Sequence, residues 1–148
     1  MTTHLFSSSD VPYFCLKDER RTLAFRNALQ RSVAPGSVVL DIGSGTGILA
    51  LFAARAGAGR VYALEADPLL ARSLRQSVIA NELQDVVEVI EQDAMDLSSL
   101  DPKPDLVIAE LIDTGLIDEQ QVPVILRLHE RGIVTSATRF LPESVTTG

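Results

Sequence analysis

The chain has 148 residues, the size of a single domain, and 46% of them are hydrophobic, with a mean hydropathy of +0.19. Thirteen basic against 20 acidic residues give a net charge of −7, which repels a phosphate backbone, so no nucleic acid is expected as partner. No apolar run approaches the ~20 residues of a bilayer span and no signal-type segment opens the chain, so a soluble, cytoplasmic protein with no membrane partner is expected.

Cys15 is the one cysteine, and His4 and His129 lie far apart, so neither a disulfide nor a metal-ligand pattern is present. Residues 1–10, with a Thr pair and a Ser run, read as a loose arm. Residues 17–32 are charged and helical, with Leu23, Ala24, Ala28 and Leu29 as an apolar stripe, and Pro35-Gly36 ends them.

From there strands and helices alternate. Residues 37–41 (SVVLD) form an apolar strand ending in an acid, and 46–56 form an apolar helix closed by Gly57. Residues 60–65 (RVYALE) form a second strand, also ending in an acid. Asp67 then caps a helix that has Pro68 in its first position and runs to about residue 80. Residues 86–90 make the third strand, Pro102 and Pro104 mark a turn, and 105–109 make the fourth strand. A helix is expected over about 122–130, with Pro123 in its first turn, and a fifth strand over 132–135 and beyond.

Such short-looped alternation implies βαβ crossovers and an α/β fold. The expectation is a Rossmann-like, doubly wound, mainly parallel sheet of about five strands with helices on both faces. Residues 1–35 would form an arm and helix over the site, and 36–148 the sheet domain itself.

Ligands on these sheets bind outside the carboxyl ends of the strands. Asp41, Glu65, Asp93 and Glu110 all fall at or just past those ends. The first strand leads into the loop DIGSGTG at 41–47, whose Gly43, Gly45 and Gly47 let a ligand approach the backbone. A dinucleotide fingerprint, G-x-G-x-x-G, would need glycine at position 48, which is Ile48. A pyrophosphate would also be repelled by Asp41, whereas an amino-acid sulfonium carries an ammonium that Asp41 attracts. The loop therefore reads as a site for S-adenosylmethionine. Glu65, 20 residues after Gly45, has the spacing of an acid that reaches ribose hydroxyls, and Asp93 is placed for the adenine amino group. Each acid alone also fits a helix cap or a solvated loop charge; it is the set of four that points to a ligand.

Three segments resemble the protein arginine methyltransferase family, within the class I S-adenosylmethionine-dependent methyltransferases. They are LKDERRTLAFR at 16–26, VLDIGSGTGIL at 39–49 with FAARAG at 52–57, and ELIDTGLIDE at 110–119. The glycine loop is common to the whole class; the upstream helix and the glutamate pair are specific. The resemblance implies that Arg21 binds the carboxylate of the cofactor's methionine part. Asp41, Gly43, Gly45 and Gly47 would line the cofactor, Glu65 would hold its ribose, and Glu110 and Glu119 would grip a substrate guanidinium on a protein or peptide. Glu119 also fits a first-turn acid favouring the helix dipole, with Asp113 or Asp118 supplying the second carboxylate. Arg21 also fits a surface charge paired with its acidic neighbours. Cys15 and His129 read as packing and helix-face residues.

Three departures from the family follow. Its aromatic N-terminal motif is shortened to Tyr13-Phe14. Met95 stands where the family often has a glutamate near adenine, which leaves Asp93 or the backbone of Ala94 to serve. The resemblance ends near Pro142, before the family's C-terminal β-barrel, so a partner chain or homo-oligomer is expected to complete the substrate groove.

Overall fold

The computed structural model of the chain describes residues 10–111 and 121–144. Two N-terminal helices, α1 (Asp10–Lys17) and α2 (Glu19–Ser32), precede strand β1 (Val38–Ile42). Then follow α3 (Ile48–Arg55), β2 (Arg60–Glu65), α4 (Pro68–Ala80) and β3 (Val87–Glu91). A single 3-10 turn, Ala94–Asp96, leads to β4 (Leu106–Ala109), α5 (Gln121–Glu130) and β5 (Arg139–Leu141). The strands lie in the order β3-β2-β1-β4-β5, and all four neighbouring pairs are parallel.

The unbroken apolar character of β1 has a direct cause, since both faces of the sheet are covered. Val39 packs toward α2, α3 and α4, among Leu29, Leu49, Ala53, Leu74 and Val78. Its neighbours Leu40 and Ile42 face the other way, toward Val124 and Leu128 of α5 and toward Leu97. Leu40 and Leu74 are fully buried, and each such side chain stabilises the fold by about 1.5–3 kcal/mol. Strand order reverses between β1 and β4, which opens a crevice at their carboxyl ends. Asp41 and Glu110 stand at that crevice.

Most expected elements appear within a residue or two, and three differ for physical reasons. The helix expected over 17–32 stands as α2, and a further helix, α1, precedes it, the two being separated at Asp18. Its carboxylate accepts a hydrogen bond from the Arg21 N–H at 3.0 Å, which caps α2. Asp10, expected to end a loose arm, instead begins α1. The fifth strand is Arg139–Leu141 and not 132–135. Ile133 and Val134 are buried, 1% and 2% exposed, but their N–H groups return to the Leu128 carbonyl at 3.0 and 3.4 Å. Gly132, at φ +65°, turns the chain so that this apolar pair closes the end of α5 rather than joining the sheet. No helix among the described residues is long and apolar enough to cross a membrane.

Candidate functional site

The loop after β1 folds back under the end of β2. Ser44 donates its N–H to the Leu64 carbonyl at 3.0 Å, and the Gly47 N–H closes a turn on Ser44 at 2.7 Å. Gly43 has φ +66°, and a Cβ there would fall 2.7 Å from Cδ2 of Leu111, just beyond β4. Gly47 has φ +81° and caps α3, where a Cβ would overlap Cδ1 of Leu74 on α4. Glycine at 47 is therefore required by helix packing, whatever else the loop holds. Pro12 of α1 lies over Gly45, its Cβ 3.7 Å from where a Cβ on that glycine would stand.

Two buried acids flank this loop. Glu65 is held by backbone donors: Gly45 N–H to Oε2 at 2.7 Å and Asp67 N–H to Oε1 at 2.9 Å. Asp41 is 2% exposed, and its Oδ2 has no hydrogen-bond partner among the described residues. Burial pushes its pKa up to about 7, with the Glu65 and Glu110 charges adding to the rise and contacts with Ser44 and Ala50 opposing it. A buried carboxylate with an unmet acceptor suits a cationic ligand group, because an ammonium, whose N–H donors carry positive charge, satisfies both needs at once.

On the other side of the crevice, Arg21 of α2 forms an ion pair with Glu110, which directly follows β4. The two residues are 89 positions apart and each is about one-fifth exposed, 20% and 22%. Arg21 is further oriented by the Cys15 carbonyl, to which its Nη1 donates at 3.3 Å. Partial burial disfavours the guanidinium charge, but the bond to Glu110 and its charge outweigh that, and the Arg21 pKa is raised. Arg21 is thus no isolated surface charge.

The outer acid behaves differently. Asp93 is exposed and caps the turn Ala94–Asp96, its Oδ1 accepting the Met95 N–H at 2.8 Å. Glu119, Asp113 and Asp118 lie outside the described residues. The structure therefore brings together Arg21, Asp41, Gly43, Gly45, Glu65 and Glu110. Two participants were not singled out in the sequence: Leu111, which packs on Gly43, and Gln121, whose amide faces the Ala109 and Leu111 carbonyls. Leu111 lies inside the 110–119 motif and Gln121 just beyond it, and each acts only through a neighbour brought close by the fold. Surface clefts of about 320 and 310 Å³ lie elsewhere, around Arg60 and Glu88 at the β3 edge. Cleft volume does not locate this site; the arrangement of charge does.

The chain is similar to known methyltransferases. The family model described as ribosomal protein L11 methyltransferase (PrmA) matches residues 22–135. An arginine N(omega)-methyltransferase of Streptomyces achromogenes subsp. streptozoticus is 42% identical over 121 residues, 78% of this chain and 33% of the relative. Protein arginine N-methyltransferase 1 of Caenorhabditis elegans is 35% identical over 130 residues, 84% of this chain and 37% of the relative. Among solved structures, the Trypanosoma brucei PRMT1 enzyme-prozyme heterotetrameric complex with AdoHcy superposes with a TM-score of 0.82 at 31% identity. That match covers 91% of this chain and 42% of the other. The chain spans less than half the length of each of these relatives.

Proposed function

The chain belongs to the ribosomal protein L11 methyltransferase (PrmA) family, and from this premise, with arginine methyltransferases among its relatives, we propose that it binds S-adenosylmethionine and methylates an arginine guanidinium. The observation that carries the cofactor half is the orphaned Oδ2 of buried Asp41 beside the glycine loop. In this reading Asp41 takes the ammonium of the methionine part, and Arg21 takes its carboxylate in the two-pronged geometry that guanidinium and carboxylate share. Glu65 receives the ribose hydroxyls while still holding the loop, Gly43 and Gly45 offer bare backbone, and Asp93 with Ala94 borders the adenine. Gly47 keeps α3 against α4. Helices α1 and α2 cover this site, and the sheet domain from β1 onward builds it.

When bound, S-adenosylmethionine supplies a methyl group on a positively charged sulfur. Glu110, with Glu119, holds the substrate guanidinium and aims one nitrogen lone pair along the S–C axis. The methyl transfer that the cofactor would supply leaves a neutral thioether, and the guanidinium nitrogen that takes the methyl would give up a proton. No oxyanion develops, so orientation by these carboxylates supplies most of the acceleration, with proton removal assisting. A partner chain or a second copy completes the groove, and the setting is cytoplasmic.

The test is transfer of labelled methyl to an arginine-rich peptide. Glu110→Gln should lower transfer on the order of a hundredfold or more, because one of the groups that aim the nitrogen loses its charge. S-adenosylhomocysteine should still bind that variant. Unchanged transfer removes the guanidinium role of Glu110, and binding without turnover on any substrate makes the chain a silent cofactor module. A second reading, methylation of free arginine, is favoured by the Streptomyces relative, whose name specifies arginine without a protein. Product appearing on the free amino acid and none on peptide would establish that reading instead.

A further inference from the structure

Gln121 opens α5, directly after the 112–120 segment that follows Glu110 and Leu111. Its side-chain amide faces the carbonyl oxygens of Ala109 and Leu111, and with the amide oriented to present its nitrogen, that nitrogen lies 3.2 Å from each. Two acceptors demand a donor, and a glutamine amide nitrogen carries two N–H groups, one for each carbonyl.

Those two carbonyls belong to the residues on either side of Glu110. The β4 ladder ends at Ala109, so sheet pairing does not hold Glu110. A single amide nitrogen that ties the Ala109 carbonyl to the Leu111 carbonyl bridges the backbone across Glu110 and restricts its rotations, and with them the direction of its Cα–Cβ bond. The Leu111 side chain adds a second constraint by its close approach to Gly43. The carboxylate itself is then left to pair with Arg21.

We propose that Gln121 is a positioning residue that aims the Glu110 carboxylate, acting through the backbone on both sides of it and touching neither cofactor nor substrate. This rests on the arginine reading of the site. Methyl transfer without an oxyanion depends on placement, and misplacing a reacting group by about 1 Å can lower a rate on the order of a hundredfold.

Two variants test it: Gln121→Glu, which keeps the shape but replaces the donor with an acceptor, and Gln121→Leu, which removes the donor without adding charge. Both suit the first turn of a helix, so α5 should persist. The expected result is a kcat lower by about tenfold to a hundredfold in both, with S-adenosylhomocysteine affinity and melting temperature close to wild type. Wild-type kcat in both variants overturns the proposal. So does a parallel fall in cofactor affinity and melting temperature, which would mark a merely structural contact. Should the wild type bind S-adenosylhomocysteine but transfer no methyl, it is the arginine reading that fails. Hydrogen exchange over 109–121 then decides the clasp: faster exchange confined to that stretch in both variants supports it, and unchanged exchange overturns it.

Discussion

The carboxyl ends of β1 and β2 each carry one buried acid, and the fold serves the two in opposite ways. Glu65 is met by the N–H groups of Gly45 and Asp67, so its charge is spent on shaping the loop. Asp41, at the end of the neighbouring strand, keeps an oxygen without a partner among the described residues and a pKa pushed up to about 7 by burial. A carboxylate near the end of each of two neighbouring strands is scaffold in one and an unmet acceptor in the other. What separates them is that backbone donors reach both oxygens of Glu65 and leave Oδ2 of Asp41 unmet among the described residues.

Asp41→Asn should produce the largest effect. Calorimetry should show S-adenosylhomocysteine affinity lower on the order of a hundredfold, about 2–3 kcal/mol, as for a lost charged hydrogen bond in a dry site. The ligand-free variant should nevertheless melt above wild type at pH 8. A raised pKa means that the folded protein holds a proton that the unfolded chain lacks between about pH 4 and 7, so wild-type stability falls as pH rises through that window. The amide carries no charge and escapes that loss. A variant that binds as wild type and melts lower would reverse the contrast between the two strand ends.

Glu65→Gln should act in the opposite sense on stability. One acceptor becomes a donor facing an N–H, and urea unfolding of the ligand-free protein should show a loss of about 1–3 kcal/mol. Affinity should fall about tenfold, less than for Asp41→Asn, because loop and ribose contacts are weakened rather than removed. Equal stability for Glu65→Gln and wild type would mean that the two backbone bonds do not shape the loop.

The smallest effect is a slope with pH. Cationic ligand groups favour ionised Asp41, so S-adenosylhomocysteine affinity should rise between pH 5.5 and 7, by at most about tenfold per unit, and level off above 7. The slope should vanish in Asp41→Asn. A slope that survives that substitution assigns the titration to another group.

The elements of the sheet were legible because their causes are local. Strands buried on both faces read as apolar runs, Asp67-Pro68 announces a helix start, and a three-glycine loop between strand and helix announces a ligand turn. The misplaced fifth strand shows the limit of such reading. Ile133 and Val134 have the right composition for a strand, yet the choice between sheet and helix end depends on which partners the surrounding chain offers their N–H groups. The start of α2 at Glu19 rather than at residue 17 belongs to the same class, since a helix former and a helix cap can occupy one position. At the site, Arg21 and Glu110 were individually conspicuous, but their pairing across 89 positions was not.

Residue order alone thus settled the class of the fold and placed the glycine loop and the acids at the strand ends, since period, turn and charge are properties of neighbours along the chain. Tertiary structure decided which acid is satisfied and which is not, why Gly47 must be glycine, and what holds Glu110 beyond the end of its strand. Those are questions of distance and burial between segments far apart in sequence. Only the packed sheet, with helices on both faces, sets them.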